Sequence, residues 1–158
     1  MRTIFILLLL ALASCTSLPK AIDSITDTEI RTLYEVLADD MRGGDLRSMS
    51  KHYSRDYIHE DEISRPGSLI RWDLIEYFRR GQGLVNSARS YTIDYRILSI
   101  EIDGLGKEAV VISQHYNEWN FGNYIREAES VQENVLVLTD GRILVSRTKV
   151  IKSKLVRG

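Results

Sequence analysis

The chain has 158 residues, and its 21 Lys and Arg stand against 22 Asp and Glu, a net charge of −1. A balance this close to neutral excludes bulk electrostatic binding of nucleic acid, which takes a strongly basic surface. With one cysteine no intramolecular disulfide can form, so stability has to come from packing in what the length reads as one main domain.

At the N-terminus, Arg2 supplies a positive charge and is followed by ten residues, Ile4 to Ala13, without a polar side chain. This is the layout of a signal peptide. The run is too short for a spanning helix, which needs roughly 20 apolar residues. The quartet Leu12-Ala13-Ser14-Cys15 resembles the bacterial lipobox. That resemblance implies cleavage after residue 14 and a mature chain that begins with lipidated Cys15; an ordinary secretory site with a free thiol is the alternative. Thr16 and Ser17, rather than Asp, then imply an outer-membrane address facing the periplasm. Loss of Arg2 leaves 20 positive against 22 negative groups, a net of −2. Residues 15–25, with Pro19 and no apolar period, read as the lipidated Cys and a linker, and 26–158 as the folded domain.

Thr26-Asp27-Thr28-Glu29 is a capping box, and Ile30, Leu33, Tyr34, Leu37 and Met41 follow at helical spacing up to Gly43-Gly44. Asp45 can cap a short second helix that carries Leu46, Met49 and Tyr53. A strand is expected over Tyr57 to Glu62. Pro66-Gly67-Ser68 breaks the chain and re-caps it, and "LIRWDLIEYFRR" predicts a third helix with Leu74, Tyr77 and Phe78 inward. From Arg89 the period changes to that of four strands, separated by "DGLGK", "FGN" and the hairpin signal Asp140-Gly141. The class is α+β, with three N-terminal helices on a curved antiparallel sheet that the early strand can join.

The order of helix, "GGDLRSMSKHYSRDYIHED", helix and meander is similar to the NTF2-like domains, including the SnoaL-like and ketosteroid-isomerase-like groups. The resemblance covers Thr26 to Lys154 and implies a cone with a pocket inside the sheet; its members include isomerases, dehydratases, cyclases and domains that only bind. It places Asp61 at the position of the isomerase base. The isomerase tyrosine position falls on Leu37 and the protonated-acid position near Asn134, so neither acid is present. Tyr34, one turn from Leu37, either leans toward the pocket or belongs to the core.

If Asp61 points inward, strand alternation turns Tyr57 and His59 inward too. The family register adds Val111, Ser113, His115, Asn117 and Trp119, then Ser130, Gln132, Asn134, Leu136 and Leu138, and finally Ser146 and Thr148. Leu144 joins the apolar end of that lining, opposite a polar end at His115, Asn117, Gln132 and Asn134. A slip of one residue would invert all of this. His59, Asp61 and His115 form a candidate proton-transfer set or a structural hydrogen-bonded one. No metal or cofactor is expected.

The opposite face carries Val110, Ile112, Val131, Val135, Val137, Ile143 and Val145. A homodimer through that face, or a covering N-terminal segment, would explain so apolar a band. Arg147, Lys149, Lys152, Lys154 and Arg157 read as a solvated strand end, with attraction to anionic headgroups as the alternative. The leading expectation is a membrane-anchored domain that binds a small polar ligand. An isomerase, dehydratase or cyclase with Asp61 as base, and an envelope assembly protein acting through the sheet face, are the alternatives.

Overall fold

A computed structural model describes residues 21–62 and 67–158. The signal-peptide, lipobox and Cys15 readings, and Pro66, lie outside the described residues. Helix α1 spans Asp27–Arg42, α2 Leu46–Ser50 and α3 Leu74–Ser87. The strands are β1 Tyr53–Asp61, β2 Ile70–Asp73, β3 Ser90–Ile102, β4 Glu108–Asn120, β5 Ile125–Thr139 and β6 Arg142–Arg157. They form one sheet in the order β2-β1-β6-β5-β4-β3, antiparallel except for the β1–β6 pair. The fold is therefore α+β, but β1 and β2 interrupt the helices, which do not precede the sheet as a block.

Most signals that act within a few residues are used, but the cap of the third helix falls on Asp73 and not at Ser68. Thr26 caps α1 by accepting from the Glu29 amide, and the Glu29 carboxylate accepts from the Thr26 amide in return at 3.0 Å. Asp45 and Asp73 cap α2 and α3 by accepting from the amides of Ser48 and Glu76. Asp140 and Gly141 both adopt positive φ, 51° and 69°, between the paired residues Thr139 and Arg142. That is the primed turn an Asp-Gly hairpin favours.

Three expectations change where distant pairing decides. Tyr53 does not extend α2; it opens β1, which is longer than the strand expected from Tyr57. Ile70-Arg71-Trp72-Asp73 is not the first turn of a helix, because it pairs with Ile58 to Asp61 as β2 and Asp73 then caps α3. On β6, pairing slips between Val135↔Arg147 and Leu136↔Val145, which inserts one extra residue. Ile143 and Val145 consequently belong to the core, not to the outer band. Leu144 shifts to the outer face, and Ser146 is half-buried with its hydroxyl donating to the Val135 carbonyl at 3.1 Å. Beyond the bulge Thr148 and Val150 face inward as buried residues.

The core lies between α1 and the inner face at the end of the sheet that holds the β3–β4 and β5–β6 turns. Ile30, Tyr34, Val111, Leu136 and Val145 form its centre. Residues 21–25, expected as a free linker, seal this end. The Ile22 amide donates to the Gly141 carbonyl at 3.0 Å and the Ile25 amide to the Gly106 carbonyl at 2.8 Å, while Ile25 is buried in the core. Both glycines have positive φ, and a Cβ on either would lie 2.8 Å from the Ser24 or Ala21 side chain. The close approach of this segment depends on them.

Candidate functional site

At the other end of the same strands the inner face is not filled. A cavity of about 360 Å³ lies between that face, α2 and α3. The volume is within the range of small-ligand sites. Strand alternation supplies its floor and walls: His59 and Asp61 from β1, His115, Asn117 and Trp119 from β4, and Ser130 and Gln132 from β5, while on β6 a second bulge between Val150 and Lys152 brings both Val150 and Ser153 to the cavity. The β4–β5 register, with His115 opposite Ser130 and Trp119 opposite Arg126, puts these groups in adjacent rows.

Of the residues singled out from the sequence, His59, Asp61, His115, Asn117, Trp119 and Gln132 line this cavity. Tyr34, Tyr57, Ser113 and Asn134 do not. They are buried in the layer beneath it, where the strands pass from the apolar core to the open end. Leu37 packs against the core. The cavity lining that sequence reasoning missed includes Trp72, Tyr91, Arg80 and Arg126. Trp72 was hidden by the helical reading of its segment. Arg126 was within reach, because extending the alternation across "FGN" pairs it with Trp119.

Aromatic rings make the walls. His59 stacks on Trp72 with centroids 5.1 Å apart and planes 8° from parallel, and on Tyr77 at 4.8 Å and 25°. The Arg80 guanidinium lies 5.0 Å from the Trp72 ring centroid. Across the cavity Tyr91 packs on Trp119 at 5.6 Å, and Arg126 lies 5.8 Å from the Trp119 centroid. The Tyr91 hydroxyl donates to Asn117 Oδ1 at 2.6 Å. Both tryptophans of the chain are thus spent on this one cavity.

Burial pulls the His59 imidazole down to about 4, although Asp61 and Glu60 act in the opposite direction. Burial alone pulls His115 down to about 4. Both rings are uncharged at neutral pH, so they offer hydrogen-bond donors and acceptors and not cations. Asp61 is buried on the same strand face as His59. Glu60, on the other face, pairs with Arg71 at 3.3 Å. Among the described residues no three His, Cys, Asp or Glu side chains are placed to hold a metal ion.

Below the cavity floor runs a buried polar chain. The Thr148 hydroxyl donates to Asn134 Oδ1 at 2.7 Å, Asn134 Nδ2 donates to Ser113 Oγ at 3.1 Å, and Ser113 Oγ lies 2.8 Å from His115 Nε2. Ser113 is completely buried. The Tyr34 hydroxyl touches the same cluster: burial pushes it up to about 12, and hydrogen bonds with Ser113 and Asn134 restrain the rise. Asn134 therefore stands near the place where the resemblance put an acid, yet it serves the layer under the cavity and not the cavity wall.

No protein-family model matches the sequence, and no curated protein matches it. Solved structures do. A conserved protein from Planctomyces limnophilus DSM 3776 superposes with a TM-score of 0.68 at 14% identity, over 82% of this chain and 96% of that one. A protein from Novosphingobium aromaticivorans DSM 12444, provisionally named a scytalone dehydratase, gives 0.63 at 14% identity over 80% and 85%. A ketosteroid isomerase-like protein from Erwinia carotovora atroseptica SCRI1043 gives 0.58 at 14% identity over 79% and 95%. Others are NTF2-like proteins of unknown function, such as one from Silicibacter pomeroyi DSS-3 at 0.58 and 12% identity. At such identities the likeness speaks for the architecture, and on that evidence the chain has the NTF2-like fold.

Proposed function

We propose that this is a ligand-binding domain held at the bacterial envelope by lipid on Cys15. The observation that carries the reading is the cavity, whose aromatic walls stand over a fully used polar layer while the two acid positions of the isomerases hold Leu37 and Asn134. The walls narrow the polar ligand expected from the sequence to a flat molecule with an apolar body and few polar groups, because stacked rings recognise a face and the neutral histidines an edge.

The docked N-terminal segment supports the anchored version. Only six residue steps separate Cys15 from Ala21, about 20 Å when extended. Lipidation at Cys15 would hold the turns around Gly106 and Gly141 near the bilayer. His115 is seven residues along β4 from Glu108, about 24 Å at the rise of a strand. The cavity then opens on the far side from the membrane, and the ligand arrives through water.

In a direct test, calorimetry with 2-ethylnaphthalene on the full-length chain in detergent should give saturable binding, weakened about 5- to 10-fold by Trp119→Ala, the scale of one lost ring contact. Absence of binding, or binding indifferent to Trp72→Ala and Trp119→Ala alike, would sink the reading. Labelled fatty acid should enter the wild type and not Cys15→Ser.

A second reading, proton transfer beside a carbonyl, is favoured by one observation: His59, Asp61 and His115 all face one cavity. Deuterium exchange into the methyl group of 2-acetylnaphthalene should then be accelerated by the protein, and Asp61→Asn should lower it about 100-fold. No acceleration by the wild type removes this reading and leaves binding intact.

A further inference from the structure

Ser113, Asn134 and Thr148 are three polar side chains buried among Tyr34, Val111 and Leu136, where apolar residues of similar size would pack without any partner to satisfy. Their bonds run in one direction. Thr148 gives its proton to Asn134 Oδ1, and the Asn134 amide gives one to Ser113 Oγ. The Tyr34 phenol, neutral at any physiological pH, is hydrogen-bonded to the same pair. A hydroxyl oxygen that accepts from its neighbours has its own proton left to give. For Ser113 the atom in line is His115 Nε2, at 2.8 Å. An Nε2 that accepts carries no proton, so the neutral ring holds its proton on Nδ1.

Resting on the ligand-binding reading above, we propose that the Thr148–Asn134–Ser113 chain fixes His115 as an Nδ1–H donor to the cavity, and that the ligand is a flat molecule whose carbonyl or similar acceptor oxygen takes that proton in a hydrogen bond. His115 is the recognition residue. Ser113, Asn134 and Thr148 are positioning residues that never touch the ligand, which accounts for polar groups kept in a layer that could have been apolar. A donor held in one tautomer by a buried chain needs no reorganisation when the ligand arrives.

Side-chain nitrogen NMR of the full-length chain in detergent reads the tautomer without a ligand. His115 should be the Nδ1–H form. Ser113→Ala should release it toward Nε2–H, Thr148→Val should give a mixture of the two, and His52, outside the chain, should be unchanged in both variants. An Nε2–H ring in the wild type, or a ring unmoved by both substitutions, overturns the proposal. On the ligand side, 2-acetylnaphthalene should bind about 5-fold more tightly than 2-ethylnaphthalene, the scale of one net hydrogen bond. Thr148→Val should bring that ratio toward one with the hydrocarbon's affinity unchanged. Equal affinity of the wild type for the two probes also overturns it. Binding of neither probe counts against the ligand-binding reading itself, and the tautomer still decides whether the chain sets His115.

Discussion

The two ends of β4 and β5 are built from the same alternation and do opposite things. Near the β5–β6 turn, Val111 and Leu136 are completely buried under α1 and the docked residues 21–25. Eight residues further along β4 and ten along β5, Trp119 and Arg126 are paired in the same register and face the open cavity. Between the ends lies the polar layer of Ser113 and Asn134. Inward-facing position alone therefore does not make a core residue. What covers the strand decides, and only one end is covered by α1 and the N-terminal segment.

Acidification should strike the open end hardest. The unfolded chain protonates its histidines near 6.5, while His59 and His115 in the fold resist down to about 4. Between those values the unfolded state binds more protons, so stability is present above about 6.5 and is lost as the pH falls toward 4. The loss is on the order of 3 kcal/mol for each ring. Urea midpoints measured across this window should fall steeply for the wild type and more shallowly for His115→Gln. A flat wild-type profile would mean that the cavity end is wetter than the buried rings imply.

Leu136→Ala should cost about 3 kcal/mol in the same unfolding measurement, because the closed end has no room to relax around the lost volume. Trp119→Ala, although it removes a far larger side chain, should cost less than half as much. If the two cost the same, the open end is a core and the contrast between the ends fails.

The outer face sharpens the comparison from the other side. Val110 and Val135 are cross-strand partners on that face and are half-buried in the monomer. We propose that they belong to a homodimer interface, and Val110→Lys with Val135→Lys should turn a dimer into a monomer in sedimentation without unfolding it. A wild type that is already monomeric would leave the band without this role. Arg147 pairs with Glu133 at 3.2 Å and Arg157 with Glu127 at 4.0 Å, so β5 already supplies opposite charge.

The smallest effect belongs to the cap. Thr26→Ala should cost about 1 kcal/mol, although the segment before it is docked; a much larger loss would show that residues 21–25 and α1 are held as one unit.

Much of the site was legible because a strand has a strict period of two. Once Val111 is inward, His115, Asn117 and Trp119 follow on β4, and the hairpin register carries the same rule to Gln132 and Asn134 on β5. The rule broke on β6, where the bulge moved Ile143 and Val145 into the core and Leu144 out of it. A bulge is one extra residue, and nothing in "RILVSRTKV" marks where it falls. Trp72 was missed for a related reason: Ile70 to Asp73 has no strong preference of its own, and pairing with β1 chose the strand.

By itself the sequence determined what acts over a few residues. The capping box at Thr26, the helix cap at Asp45 and the Asp140-Gly141 turn each satisfy backbone groups through neighbours in the chain, so composition and spacing are enough. The tertiary structure alone decided which inward residues meet a cavity and which are sealed. Ser113 and Asn134 face the same way as His115 and Gln132, yet they are covered while the others are open. That difference depends on where α1, α3 and residues 21–25 come to rest, which is fixed by contacts between segments more than a hundred residues apart, such as Ile22 and Gly141, that no local period encodes.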